Sequence, residues 1–268
     1  MRFKSASLVV AITLAAIPVT VFAQRGQRGE PPGPPPTARQ QAPFDLSGYW
    51  VSIVTEDWRW RMVTPAKGDY ASVPLNDEGR KAADGWDLAK DKANGVECKA
   101  FGAAAIMRMP TRLHIAWQDD TTLKIETDAG QQTRLFHFGS VQAETGERQW
   151  QGYAKAAWFK QPQSTGLGFG FPEGARGGFT GGNLKVVTTN MRPGYLRKNG
   201  VPYSENAVLT EYLNRHHEPD GSEWFTVTTV VDDPKYLTMP FITSSSFKKE
   251  PDPSKWHPTP CEIDPPRS

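Results

Sequence analysis

Short β-rich runs bounded by turn residues recur along most of this chain, and they limit the folds it can adopt. Eight runs follow an opening one, at Arg112–Gln118, Thr122–Thr127, Thr133–Phe138, Trp150–Phe159, Leu184–Asn190, Asn206–Leu213, Glu223–Val231 and Phe241–Lys248. One short helix is predicted, from the capping residue Asn76 to Trp86. The pattern predicts a mostly β fold built as an antiparallel barrel, with a β-sandwich as the alternative.

The opening run, Ser47–Met62, is rich in tryptophan and alternates in its second half. Glu56, Trp58, Trp60 and Met62 share one parity, and Asp57, Arg59 and Arg61 share the other. This alternation predicts a strand with two different faces. Two interpretations of Glu56, Trp58, Trp60 and Arg61 stay open. Either these residues line an aromatic ligand pocket that contains one acid, or the tryptophans are core residues and Glu56 lies at the solvent-exposed end of the strand.

The N-terminal residues of the chain predict export. Residues 1–23 resemble a signal peptide, with basic residues at Arg2 and Lys4, an apolar run and a small-residue cleavage site ending at Ala23. The apolar run is short for a membrane anchor, which is the alternative. Residues 24–43 are rich in Pro, Gly and Gln and predict a disordered linker, and 44–268 predict a single antiparallel barrel domain. We therefore expect a periplasmic or secreted protein with no transmembrane segment after cleavage.

The charge balance argues against a polyanionic partner. The whole chain has 31 basic and 29 acidic residues, and loss of Arg2 and Lys4 with the signal peptide would make the counts equal. Binding of nucleic acid or of an anionic membrane needs a clustered basic excess. We expect no nucleic-acid partner.

Cys98 and Cys261 are the only cysteines of the chain. In an oxidising compartment two cysteines usually form a disulfide, which is the favoured prediction. A buried free pair and a metal site are the alternatives, and the metal site is weak because no histidine pattern accompanies the cysteines. No metal is predicted.

The three runs between Arg112 and Phe138 allow a prediction of register. If Asp119–Thr121 form the first turn, His114 faces Glu126 and Arg112 faces Asp128, while Ile115 pairs with Ile125 and Trp117 with Leu123. A second turn at Asp128–Gly130 then places Arg134 on the same polar face. Arg112, His114, Glu126 and Arg134 are thus the candidate catalytic residues, as an acid/base pair bracketed by arginines. The alternative is an ordinary solvated outer face.

A loop at Arg192–Tyr203 contains two turn motifs, Pro193-Gly194 and Asn199-Gly200. Tyr195, Arg197 and Tyr203 lie around these turns. At a barrel mouth such a loop could close over a ligand, so these three residues are candidate ligand-binding residues. A plain hairpin excursion is the alternative.

Gly48-Tyr49-Trp50 resembles the Gly-x-Trp opening of lipocalins and related calycin barrels. The resemblance implies a barrel in which this tryptophan packs across the base. The region after the export sequences also resembles exported bacterial proteins of unknown function that share Asp-Leu-Ser-Gly-Tyr-Trp and Glu-Asp-Trp-Arg-Trp-Arg-Met. That second resemblance implies no activity.

These features lead to two functional hypotheses. The first is an exported barrel that binds a small, largely hydrophobic or aromatic molecule and performs acid/base chemistry without a cofactor, as an isomerase, hydratase or lyase. The second is a non-catalytic lipocalin-like carrier or envelope interaction protein. The sequence contains no nucleophile elbow, phosphate loop, dinucleotide fingerprint or zinc signature, so no cofactor is predicted.

Overall fold

A computed structural model describes residues 33–139, 146–160 and 182–266. Within these ranges the strands are β1 Gly48–Ile53, β2 Arg112–Trp117, β3 Thr122–Thr127, β4 Thr133–Phe138, β5 Tyr153–Lys160, β6 Gly182–Thr189, β7 Gly194–Tyr195, β8 Pro202–Tyr203, β9 Val208–His217, β10 Glu223–Asp232 and β11 Phe241–Glu250. Nine of them close into a barrel in the order β1-β11-β10-β9-β6-β5-β4-β3-β2, and β7 and β8 form a separate hairpin. The barrel prediction is confirmed.

The barrel is not antiparallel throughout, because β4 and β5 run parallel. Strand direction cannot alternate all the way round a closed ring of nine strands, so at least one neighbouring pair must be parallel. The connection from β4 to β5 therefore has to return along the barrel before the next strand begins. This crossing corrects the prediction of a purely antiparallel sheet.

Several short helices occur where one was predicted. In the described residues they are α1 Trp58–Arg61, α2 Asp77–Asp84, α3 Leu88–Ala93 and α4 Ala103–Ile106, with a 3-10 helix at Glu97–Phe101. The predicted helix is α2, and the Asn76 side chain caps it by accepting a hydrogen bond from the Gly79 amide at 2.8 Å. The others are four to six residues long, too short to be stable without tertiary packing.

The opening strand ends at Ile53, so the strand predicted for the second half of Ser47–Met62 is wrong. Asp57 has a φ of 53°, in the left-handed region, and the chain then enters α1. The Asp57 carboxylate accepts a hydrogen bond from Arg108 at 3.0 Å. This tertiary ion pair holds a backbone conformation that an L-residue rarely adopts.

The register of β2 against β3 is confirmed. His114 pairs with Glu126, Ile115 with Ile125 and Trp117 with Leu123. Apolar side chains of both strands therefore point into the barrel while the His114–Glu126 pair points outward.

The register of β3 against β4 differs from the prediction. Arg134 pairs with Ile125, because the connecting turn has one residue more than expected. The Thr127 amide donates to the Gln132 carbonyl at 2.9 Å, and Gly130 and Gln131 both have left-handed φ values, of 74° and 48°. A shift of one residue turns every side chain of a strand to the other face. Arg134 thus lies inside the barrel and not beside His114.

Apolar side chains that face the barrel interior form one packed cluster that includes Trp50, Phe136 and Phe225. Trp50 is fully buried, its indole donates to the Leu46 carbonyl at 2.8 Å, and its ring meets Phe225 edge-on at 4.9 Å. The tryptophan of the Gly-x-Trp opening therefore packs inside the barrel.

One end of the barrel is capped by the segments between the strands. Leu209, Val231 and Phe241, at the ends of β9, β10 and β11, belong to a second buried cluster with residues of α2, α4 and the β7–β8 hairpin. We call this the capped end. It brings the start of β11 close to the loop between β7 and β8.

The chain ends outside the strands are tied to the barrel as well. Cys98 and Cys261 form a disulfide, with their Cα atoms 5.1 Å apart, as predicted. Within the predicted linker, the Ala38 carbonyl accepts a hydrogen bond from the Trp158 indole at 2.8 Å, and Arg39 donates to the Asp120 carbonyl at 3.1 Å. Residues 1–32, which hold the predicted signal peptide and most of the linker, lie outside the described residues. The Gly-rich stretch at 166–182 predicts a long loop, and its residues up to 181 also lie outside the described part of the chain. In the described part of the chain, every helix is too short or too polar to cross a membrane.

A candidate anion site at the capped end

Four arginines and three carboxylates gather at the capped end. Arg59 and Arg61 lie on α1, Arg108 follows α4, and Arg197 lies in the loop between β7 and β8. The carboxylates are Glu56, Asp57 and Asp69. We call these seven residues the arginine cluster. Its formal charge is one positive unit in excess.

Each carboxylate of the arginine cluster is taken by a different arginine. Arg59 pairs with Asp69 at 2.9 Å, Arg108 pairs with Asp57 at 3.0 Å, and Arg61 pairs with Glu56. Arg61 also donates through Nε to the Arg108 carbonyl at 2.8 Å. This network fixes three guanidinium groups and leaves no carboxylate of the cluster for Arg197.

Arg197 is buried without a hydrogen-bond acceptor. The residue is 3% exposed, and its Nε, Nη1 and Nη2 atoms all lack a partner among the described residues. Its guanidinium carbon lies 4.6 Å from the centre of the Trp60 ring and 5.9 Å from that of Phe241. Cation–π contacts of this kind offset part of the desolvation cost but satisfy none of the N–H donors.

Neighbouring groups act on the charge of Arg197. Burial and the positive charge of Arg108 lower its pKa, Asp57 and Asp69 oppose the shift, and the net result is a pKa of about 10. Arg197 is therefore still protonated at neutral pH. Arg108 adds a second orphan donor, because its Nη1 atom is also buried without a partner among the described residues. An anion placed between Arg197 and Arg108 would accept hydrogen bonds from the unpaired donors of both.

A small cavity opens beside these donors, with a volume of about 10 Å³. Its lining includes Trp60, Arg61, Arg108 and Arg197. That volume accommodates roughly one water-sized atom. One oxygen of an oxyanion fits it, whereas a whole organic molecule does not.

Four of the seven predicted ligand-binding residues meet in the arginine cluster or at its edge, namely Glu56, Trp60, Arg61 and Arg197. Trp58 is 65% exposed and does not line the cavity. The sequence prediction missed Arg108. This residue lies between two buried methionines, and a single charge in an apolar stretch does not indicate a binding site.

The other two predicted ligand-binding residues serve different contacts. The Tyr195 hydroxyl donates to Asp91 at 2.7 Å, and Lys99 donates to the same carboxylate at 3.0 Å. Burial raises the pKa of Tyr195, and the hydrogen bond to Asp91 raises it further. Tyr203 is 1% exposed, and its hydroxyl lies so close to Gly102 and Gly194 that neither glycine has room for a Cβ atom. Burial raises the pKa of Tyr203 as well.

The predicted acid/base pair forms on the outer face of the barrel. His114 Nδ1 and Glu126 Oε2 are 2.9 Å apart, and both side chains are about one-third exposed. The imidazole stacks on Tyr49 at 4.5 Å, and Trp256 lies edge-on to it at 6.4 Å. Partial burial opposes ionisation of Glu126, but hydrogen bonds from Lys124 and His114 hold its pKa below the usual value.

The two arginines predicted to bracket that pair lie on opposite sides of the sheet. Arg112 stays on the outer face and pairs with Glu250 at 3.0 Å and with Asp128 at 3.9 Å. Arg134 lies inside, where it binds both oxygens of Glu211 at 2.8 and 2.6 Å, and both side chains are fully buried. The four predicted catalytic residues therefore do not form one site.

No family profile, curated protein or solved structure matches this chain. Among the described residues, His, Cys, Asp and Glu side chains form no group of three that could hold a metal ion.

Proposed function

We propose that this protein is an exported small-molecule-binding barrel that recognises an anionic group at its capped end. The observation that supports this most strongly is the Arg197 guanidinium, 3% exposed and with none of its three nitrogens hydrogen-bonded within the described chain. A buried unpaired charge is costly, so a protein retains one where a ligand completes it.

The geometry favours a carboxylate as the anionic group. Arginine binds carboxylates through a planar fork of N–H donors. The cavity of about 10 Å³ admits one oxygen and leaves the rest of the ligand at its mouth. Trp60 lines this cavity and offers an aromatic surface to an apolar ligand body.

The proposal places the ligand at the end of the barrel and not at its centre. The apolar side chains that face the interior pack into one buried cluster, which argues against a binding or catalytic chamber inside the barrel. The Cys98–Cys261 disulfide supports export, because disulfides persist in oxidising compartments.

Thermal unfolding in the presence of anions tests the proposal. We expect benzoate to raise the melting temperature at constant ionic strength, since a ligand at 100 times its Kd adds about 2.7 kcal/mol of stability. Arg197→Met should abolish the benzoate effect, and Arg80→Met, an exposed arginine on α2, should preserve it. An equal benzoate effect in wild type and Arg197→Met would refute the proposal.

Acid/base catalysis at His114 and Glu126 is the second candidate function. It is favoured by their 2.9 Å contact and by an adjacent pocket of about 160 Å³ lined by Glu126 and Trp256. Glu126→Gln should abolish proton-transfer turnover in a substrate screen while changing stability by only about 0 to 1 kcal/mol, because the pair is partly exposed. Lys124→Gln, which removes the other partner of Glu126, is the matched control and should retain turnover.

A further inference from the structure

A further pocket lies on the outer face of the barrel, away from the arginine cluster. It has a volume of about 330 Å³, within the range typical of small-molecule sites. Its lining comes from Gln132, from the outward side chains of β4 and from residues 149–153, which lead into the start of β5. The pocket thus lies beside the parallel β4–β5 pair, at the end of the connection that returns along the barrel from β4 to β5.

Backbone contacts hold the crossing segment in place. The Trp150 carbonyl accepts a hydrogen bond from the Ala103 amide at 3.0 Å, and the Gln149 carbonyl accepts one from Arg192 at 2.8 Å. Gly152 has a φ of 58°, and an added Cβ atom would lie 2.4 Å from the Thr189 carbonyl oxygen. This wall of the pocket is therefore fixed by close packing that only glycine permits.

The lining is polar but carries no formal charge when His137 is neutral. Its polar groups include three glutamine amides, and its rings include His137 and Tyr153, which stack at 5.2 Å. Trp150 is also in the lining, and the Arg192 guanidinium lies 4.2 Å from the centre of its ring. This composition contrasts with the arginine cluster and does not favour an ionic ligand.

One acceptor in the lining has no donor. Gln151 donates through Nε2 to the Phe101 carbonyl at 2.7 Å and to Gln132 Oε1 at 3.0 Å, which fixes the orientation of its amide. Gln151 Oε1 is then buried without a hydrogen-bond partner among the described residues. A buried acceptor of this kind needs a hydroxyl or N–H donor.

We infer that this pocket binds a neutral polyhydroxylated ring of monosaccharide size. Hydroxyl groups would donate to Gln151 Oε1 and exchange hydrogen bonds with the other amides, while the C–H faces of the ring would pack on the aromatic side chains. This site is independent of the anion site at the capped end.

Calorimetric titration of the full protein with D-glucose, D-galactose and N-acetyl-D-glucosamine tests the inference. At least one of these sugars should bind. His137→Ala and Gln149→Ala should each weaken binding by roughly tenfold, as expected for loss of one good contact. Thr228→Ala, on the outer face of β10, should leave the affinity unchanged and is the matched control.

Three outcomes would overturn the inference. They are no binding by any of the three neutral sugars, binding that both His137→Ala and Gln149→Ala leave unchanged, and equal or tighter binding of glucuronate at this pocket. Melting temperatures of the variants show whether they remain folded. Gln149 is exposed, so Gln149→Ala still tests the inference if His137→Ala unfolds. Arg197→Met should not alter sugar affinity, so failure of this inference is distinct from failure of the anion site.

Discussion

Arg134 and Arg197 are two buried guanidinium groups in opposite situations. Arg134 binds Glu211 through two hydrogen bonds, whereas Arg197 has no acceptor within the described residues. A paired buried charge destabilises the fold strongly only when its partner is removed, whereas an unpaired buried charge destabilises the fold as it stands. The same substitution at the two positions should therefore have effects of opposite sign.

We expect Arg197→Met to raise the free energy of unfolding by about 1 to 3 kcal/mol in anion-free buffer, because it removes unsatisfied buried donors. Arg134→Met should lower that free energy by about 3 to 5 kcal/mol, because it leaves Glu211 buried without its partner. Urea denaturation measures both. Destabilisation by Arg197→Met would show that this guanidinium stabilises the fold, which would contradict its role as an unpaired ligand-binding group.

Glu223 gives the barrel a dependence on acid pH. Hydrogen bonds from Lys249 at 2.8 Å and Arg215 at 2.9 Å lower its pKa from 4.5 to about 2. The folded-state pKa is depressed, so the stabilisation is complete above pH 4.5 and is lost as pH falls from there to about 2.

We expect Glu223→Gln to melt at a lower temperature than wild type at neutral pH, because the variant lacks this stabilisation. The difference should shrink as pH falls from 4.5 to about 2. Calorimetric scans across this range measure it, with Asp120→Asn, an exposed carboxylate in the β2–β3 turn, as control. A difference that stays constant with pH would contradict the assignment.

At the scale of elements, the β3–β4 turn decides which side chains enter the barrel. Gly130 takes a left-handed φ of 74° there, and an added Cβ atom would lie 2.4 Å from the Phe101 ring. Gly139, after β4, has a similar φ of 85° but open space around it. Substitution of the two glycines by alanine therefore separates the free-energy cost of backbone strain from that of steric overlap.

We expect Gly139→Ala to cost about 1 to 2 kcal/mol, from the left-handed backbone alone. Gly130→Ala should cost about 1 to 3 kcal/mol more, because Phe101 must also move. Chemical denaturation of both variants gives the difference. Equal costs would mean that Phe101 does not pack against this turn.

The sequence predicted the β2–β3 register because two independent patterns agreed. Charge pairing of His114 with Glu126 and apolar pairing of Ile115 with Ile125 both fix the same alignment. The β3–β4 register was wrong because its turn includes a left-handed Gln131. Propensities do not favour that residue type in this conformation, so the extra turn residue has no local signature.

Much of the anion site was also beyond prediction from the sequence. The alternation from Glu56 to Met62 satisfies a strand pattern, although tertiary contacts place Trp58–Arg61 in a helix. Arg197 was a candidate because it lies in a loop, but its proximity to Arg108 depends on how β7, β8 and α4 pack at the capped end. Contacts across such sequence distances leave no periodic trace in one chain.

At the scale of the whole molecule, the Cys98–Cys261 disulfide joins residues 163 positions apart. In the chain-entropy model, closing a loop of this length stabilises the fold by about 5 kcal/mol. The bond also anchors the segment after β11, which places Trp256 against Tyr49 and His114.

We expect reduction of the disulfide to lower the free energy of unfolding by up to about 5 kcal/mol without unfolding the barrel at room temperature, because the packed core remains. Denaturation with and without reductant measures this, and the Cys98→Ser, Cys261→Ser double variant should match the reduced wild type. Intact mass should rise by two hydrogens on reduction. Ready alkylation of both thiols in native, unreduced protein would contradict the bond.

The barrel closes between its first and last strands, since β1 pairs with β11 as well as with β2. These partners are the most distant in sequence, so their pairing bears a large loop-closure entropy and forms a contact of high sequence separation. The ring cannot close until β11, Phe241–Glu250, is available to pair with β1. A chain that stops before Phe241 would present two unpaired edges at once, on β1 and on β10, and open edges of this kind template intermolecular strand pairing.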